Sequence, residues 1–159
     1  MKLNQKSVFI NVLLIFFCCS FSMSAQKLKV DKLVSEYHNN PIGIDIEKPR
    51  LSWQIVSSAN NVMQKAYEIR VATSPSNLKN QKSLLWDSGK VMSDQSVNIE
   101  YKGSPLSYMQ RAYWQVRIWD NKNKASDWSE PAFWEMGVLD TSEWKADWVT
   151  MKDEKKSDT

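Results

Sequence analysis

Three residues of the 159-residue chain have the type and spacing to hold a ligand: Arg117, Trp119 and Trp128. Exposed aromatic rings stack on sugar rings. A guanidinium laid over an indole adds about 0.5–1 kcal/mol at an exposed site. Trp119 alternates out of phase with Trp114, Val116 and Ile118, so it shares the opposite face of its segment with Arg117. Packing against one another is the simpler role for these side chains, and sugar contact is the alternative. Trp53, Trp86 and Trp114 fall on apolar faces and are expected in a core.

Other chemistries find little support. Hydrolysis by a pair of carboxylates needs two acids at a set separation, one with a raised pKa. Asp45, Asp87, Asp120 and Asp127 stand near loop ends, where turn chemistry alone favours aspartate. No catalytic residue is assigned among them. His38 is the single histidine. Without cysteine beside it, it cannot build a zinc site of the usual nitrogen and sulfur ligands. No serine stands in a Gly-x-Ser-x-Gly elbow. The four glycines are isolated, so no phosphate-cradling loop is present. Neither a metal nor a cofactor is expected.

The N-terminus sets the compartment. Lys2 and Lys6 precede an apolar run from Val8 to Cys19, too short for a membrane-crossing helix of about 20 residues. Small residues follow, the pattern of a secretory signal peptide over residues 1–25. Cleavage after Ala25 and cleavage after Ser24 both fit, the second with better small-residue spacing. Lipid attachment at Cys18 or Cys19 is disfavoured by the bulky Phe16 and Phe17. The expectation is a periplasmic or extracellular protein with no membrane span after cleavage. The mature chain would hold no cysteine, so disulfides are excluded although the compartment permits them. Loss of Lys2 and Lys6 would bring the net charge from +3 to +1, which removes the argument for nucleic-acid binding.

Periodicity supplies the elements that would position these residues. Gln26–Tyr37 alternates loosely and carries edge-protecting lysines. Residues 38–49 read as a proline-stiffened connection. Arg50–Val56, Ala66–Thr73, Leu84–Trp86, Ser96–Tyr101 and Tyr113–Trp119 read as strands. Trp128–Met136 is expected to be the last strand, with Pro131 suited to an edge. Ser74–Asn77 and Asp120–Ala125 are expected turns, the latter without glycine. Strands recurring between turns, with almost no helical period, predict an all-β sandwich of about seven antiparallel strands over residues 26–138.

Several of these stretches together resemble a fibronectin type III or immunoglobulin-like domain: Arg50-Leu-Ser-Trp53, Tyr67-Glu-Ile-Arg-Val71, Trp114-Gln-Val-Arg-Ile-Trp-Asp120 and Ser126-Asp-Trp-Ser129. Ala112 stands where many such domains place a corner tyrosine, so no tyrosine corner is assigned. Asn40-Pro-Ile-Gly-Ile-Asp45 leading into Pro49-Arg-Leu-Ser-Trp53, then Leu85-Trp-Asp-Ser-Gly89, Phe133-Trp-Glu-Met-Gly137 and Trp144-Lys-Ala-Asp-Trp-Val149, is similar to the N-terminal module of bacterial α-L-rhamnosidases. That resemblance implies a non-catalytic module. It also implies a partner in the same polypeptide, an (α/α)₆ barrel carrying the catalytic carboxylates, relative to which the chain looks truncated. A rhamnose-containing polysaccharide is a further implied partner. A stand-alone carbohydrate- or protein-binding sandwich is the alternative, and a remnant of a broken gene is a third reading.

Residues 139–150 read as a linker or the start of a next domain. Asp140 or Thr141 could cap a helical turn, which would put Trp144 and Trp148 on one face as an interdomain contact. Residues 151–159 are expected to form a disordered polar tail.

Overall fold

A computed structural model describes residues 28–138. The signal segment, the Trp144/Trp148 segment and the polar tail lie outside the described residues. The elements in chain order are β1 (Leu28–Ser35), β2 (Ile42–Ile44), β3 (Arg50–Ser57), β4 (Gln64–Ala72), α1 (Pro75–Asn80), β5 (Leu84–Asp87), β6 (Ile99–Glu100), β7 (Arg111–Asp120) and β8 (Ala132–Met136). They form two facing sheets, one ordered β1-β3-β6 and the other β2-β8-β7-β4-β5. All described pairings are antiparallel except β2 with β8.

The alternating pattern of each long strand turns one set of side chains inward. Trp114, Val116 and Ile118 of β7 are fully buried, as are Leu51 of β3, Ile69 and Val71 of β4 and Trp134 of β8. Edge-to-face aromatic contacts tie the layers together. Tyr101, just after β6, meets Trp134 at 5.3 Å and Trp86 at 5.6 Å between ring centroids, both in the opposite sheet. Trp53 of β3 meets Tyr67 of β4 at 5.3 Å. Each such pair contributes about 0.5–1.5 kcal/mol beyond area burial.

Five expectations change. Residues 42–44, read as part of a connection, form β2, which makes eight strands. Its position follows from glycine: Gly43 has φ +82°, and a Cβ at Gly137 would lie 2.9 Å from the Gly43 carbonyl oxygen, so glycines let the two backbones approach. The turn expected at 74–77 becomes α1, where the Ser74 hydroxyl caps the Asn77 N–H and Pro75 opens the first turn. The strand expected over Ser96–Tyr101 shrinks to two residues, because Asn98 takes φ +58° and breaks the alternation, leaving Val97 exposed. The last strand begins at Ala132 rather than Trp128. Trp86, expected in the core, lies half-buried on the edge strand β5.

The sandwich closes at one end through Glu36. Its φ is +47°, a conformation that costs energy for a side-chain-bearing residue. The Arg50 guanidinium donates to its carboxylate at 2.6 Å, the Arg50 N–H donates at 2.5 Å, and the Glu36 N–H donates to the Arg50 carbonyl at 2.9 Å. The side-chain hydrogen bond from Arg50 holds the Glu36 carboxyl below the usual carboxylate range. A depressed folded pKa stabilises above the unfolded value of about 4.3, and that contribution disappears as pH falls through the folded value. The Glu36→Gln variant should therefore melt below the parent at neutral pH. The gap between the two should narrow from about pH 5 to about pH 3 in parallel thermal scans.

Gly103 offers a second test. A Cβ there would lie 2.6 Å from the Leu85 carbonyl oxygen and closer still to the Tyr101 hydroxyl, which itself donates to the Ser104 carbonyl at 2.8 Å. Gly103→Ala should cost about 1–3 kcal/mol by overpacking. The measurement is a lower midpoint in urea at unchanged slope.

Candidate functional site

The outward face of β4 and β7 carries a continuous array of charge and aromatic rings. Alternation on β7 sends Arg117 and Trp119 outward, and the antiparallel register sets Arg117 opposite Glu68 of β4. Arg70, two residues along β4, faces the same way and stands opposite Asp87 of β5. The Glu68 carboxylate, largely shielded from solvent, accepts from Arg117 at 2.6 and 2.9 Å and from Arg70 at 2.9 Å. Arg70 also donates to Asp87 at 3.0 Å.

Trp128 reaches this face from outside the strands. Beyond Trp114 the β7 edge has no paired strand, because β8 pairs only with Arg111–Trp114. Segment 126–129 supplies the bonds instead. Ser129 accepts the Val116 N–H on its hydroxyl at 3.0 Å and gives its own N–H to the Val116 carbonyl at 2.8 Å. Ser126 does the same with Ile118, at 3.0 and 2.9 Å. Both serines are buried. Spaced three residues apart, they hold the intervening Asp127-Trp128 outward.

The rings and cations then interleave. The Arg70 guanidinium lies 4.6 Å and that of Arg117 4.8 Å from the Trp128 ring centroid. Arg117 lies 4.9 Å and the Lys90 ammonium 4.4 Å from that of Trp119. Arg117 is thus the shared member, touching both indoles and Glu68. The three residues singled out from the sequence are brought together. Glu68, Arg70, Asp87 and Lys90 complete the array and were missed. For Glu68 and Arg70 the signal was present in the outward positions of Tyr67-Glu-Ile-Arg-Val71, but the strand pairing was needed to read it. Next to Trp128 a groove of about 380 Å³ runs between α1 and the sheet, lined by Arg70, Leu78, Gln115 and Pro131.

The carboxylates of this region are engaged. Glu68 and Asp87 hold arginines. Asp120 accepts the N–H groups of Lys122 and Lys124 at 2.9 and 2.8 Å, building the glycine-free turn in which Asn123 takes φ +61°. His38 sits at an isolated bridge to Ser35. Among the described residues no group of acids, histidines or cysteines could hold a metal ion. The array is suited to packing and charge neutralisation.

The family model for the Rha78A-like N-terminal immunoglobulin domain matches residues 30–140. The chain belongs to this family. An α-L-rhamnosidase of Streptomyces avermitilis is 45% identical over 104 residues, covering 65% of this chain and 10% of the relative. One from Formosa agariphila is 39% identical over 135 residues, covering 82% of this chain and 14% of the relative. The crystal structure of the S. avermitilis α-L-rhamnosidase complexed with L-rhamnose superposes with a TM-score of 0.73 at 44% identity, covering 77% of this chain and 12% of that one. The α-L-rhamnosidase of Dictyoglumus thermophilum also gives 0.73, at 34% identity over 79% of this chain and 14% of that one. The chain therefore spans about a tenth to a seventh of the curated relatives it matches. This Rha78A-like domain is a non-catalytic N-terminal module of rhamnosidase-like proteins, and its fold is the immunoglobulin-like sandwich described above.

Within the array, Glu68 is the residue whose loss should matter most. Removing one partner of a buried ion pair costs about 3–5 kcal/mol. Because Arg70 keeps Asp87 and Arg117 is one-third exposed, Glu68→Gln should cost about 2–3 kcal/mol by chemical denaturation. A double-mutant cycle with Arg117→Met should return a coupling above about 0.5 kcal/mol.

Proposed function

We propose that the chain serves as the N-terminal immunoglobulin module of an exported glycoside hydrolase that removes terminal α-L-rhamnose from glycans or glycosides. In this reading it packs against and orients a catalytic portion of the same polypeptide. The observation that carries the reading is the family match over residues 30–140, set beside curated relatives that are α-L-rhamnosidases and of which this stretch is a small part. The two-sheet core, with eight strands and buried aromatic ties between layers, supplies a rigid unit suited to that work. Trp144 and Trp148 are the proposed contact with the catalytic portion. Residues 1–25 are the proposed export signal. The described residues contain no helix long and apolar enough to cross a membrane.

Two measurements test this. The 159-residue chain should release no p-nitrophenol from p-nitrophenyl α-L-rhamnopyranoside above the buffer rate, and turnover that survives repurification would overturn the non-catalytic reading. In the S. avermitilis enzyme, deleting the segment matched by this chain should lower the melting temperature. Grafting residues 28–138 in its place should restore most of the loss; no loss on deletion would overturn the packing role.

A further inference from the structure

A second groove, which meets the arginine–tryptophan array only at Asp87, lies between two sheet edges. β5 is one edge of the five-stranded sheet and β6 one edge of the three-stranded one. Between them, and roofed by residues 91–98, is a cleft of about 430 Å³. That volume falls within the roughly 300–1,000 Å³ of small-molecule sites. Its lining combines Tyr67 and Trp86 with Asp87, Gln95, Asn98, Glu100 and Lys102.

Two of its donors are free. Tyr67 is only 8% exposed, yet its hydroxyl has no hydrogen-bond partner among the described residues and keeps contact with solvent. The Trp86 indole N–H, on a half-buried residue, is in the same condition. A hydroxyl on a side chain so enclosed ordinarily finds a partner. Here the cleft is where one could enter. The side chains of Asn98 and Lys102 are likewise unpartnered among the described residues.

The walls are held in place. The buried Gln64 amide donates to the carbonyls of Ser93 and Gln95 at 3.2 and 2.8 Å and accepts the Trp53 indole N–H at 3.0 Å. Val91 exchanges backbone hydrogen bonds with Tyr67 at 2.8 and 3.0 Å, and Trp53 donates to the Ser96 carbonyl at 3.0 Å. The cleft is therefore preformed, which lowers the ordering cost of binding.

Charge selects the class of ligand. Asp87 is neutralised by Arg70, and Glu100 and Lys102 bring one charge of each sign, Glu100 also lying 4.0 Å from Lys48 in an exposed contact. Neutral ligands rich in hydroxyls suit a cleft with two aromatic side chains, two free ring donors, an amide and one charge of each sign. We propose that this cleft between β5 and β6 binds one pyranose ring of a neutral sugar, with Trp86 and Tyr67 as its floor and Asn98, Glu100 and Lys102 as its hydroxyl partners. The site shares only Asp87 with the array around Arg117, and it stands whether or not the parent protein cleaves rhamnosides.

The test is a two-dimensional amide NMR titration of the 159-residue chain with methyl α-L-rhamnopyranoside, methyl β-D-glucopyranoside and methyl β-D-galactopyranoside. Glucuronate and glucosamine serve as charged controls. At least one neutral glycoside should shift the signals of Gly89, Asn98, Lys102 and the Trp86 indole saturably, with a Kd on the order of 1–10 mM. Tyr67→Phe keeps the ring and removes only the hydroxyl, and Asn98→Gly keeps the left-handed backbone; each should weaken binding at least about fivefold. Lys102→Met, at an exposed position, provides a third variant with no folding burden. Linear shifts with every neutral glycoside would overturn the proposal, as would tighter binding of either charged control or unchanged affinity in both Tyr67→Phe and Asn98→Gly.

Discussion

Strand β7 lies inside the larger sheet, between β4 and β8, so the backbone N–H and C=O groups along both its edges need partners. Leaving such groups unpaired costs as much as the hydrogen bonds themselves provide. β4 satisfies one edge along nearly the whole strand. The other edge is satisfied in two parts, by β8 up to Trp114 and by Ser126 and Ser129 from Val116 to Ile118. Two serine hydroxyls thus do what a strand would do, in a segment that is not itself a strand. Because the bonds come from residues spaced three apart, the chain between them bows outward, and Trp128 is delivered to a face where Arg70 and Arg117 already stand. The array is a consequence of closing a hydrogen-bond ledger on β7.

The same economy explains motifs that lie far apart in the chain. Asn40-Pro-Ile-Gly-Ile-Asp45 and Phe133-Trp-Glu-Met-Gly137 meet as a parallel pair, with the Gly137 N–H donating to the Ile44 carbonyl at 2.7 Å and the Asn40 side chain accepting the Phe133 N–H at 2.9 Å. Glycine at 43 and 137 allows the approach. In Leu85-Trp-Asp-Ser-Gly89, the Asp87 carboxylate accepts the Gly89 N–H at 2.9 Å and the Ser88 hydroxyl accepts the Ile69 N–H at 2.8 Å, so the turn is locked to β4. The family pattern is largely a set of backbone-satisfying devices. That suits the structural role proposed for the module.

The outer face of the large sheet shows how charge can be kept at a half-buried surface. Three cations, two carboxylates and two indoles alternate there, and no member lacks a neighbour. Arg117 gains from both kinds of contact, since its planar guanidinium can pair with a carboxylate while lying near a ring. The small sheet carries a lesser cluster, Arg50 with the Glu36 carboxylate at 2.6 Å and the Tyr37 ring at 5.1 Å. Its edge at β6, together with the β5 edge opposite, is where polar groups remain open to solvent.

Much of the architecture was legible in the chain. The inward set Trp114, Val116 and Ile118, the inward Leu51 and Trp53, and the outward Arg117 and Trp119 follow from a period of two, which any sheet imposes. The family resemblance is carried by local motifs as well. What alternation cannot report is pairing. Residues 42–44 form β2 only because β8 lies alongside with Gly137, and Val97 leaves the core because Asn98 turns left-handed. Glu68 and Arg70 read as ordinary solvent-facing charges until the β4–β7 and β4–β5 registers set them against Arg117 and Asp87. The sequence alone determined which side chains each strand presents to either face, since that depends on neighbours one or two residues away. Only the tertiary structure decided which of those faces meet, because hydrogen-bond register joins residues dozens of positions apart. That joining placed Trp128 between two arginines.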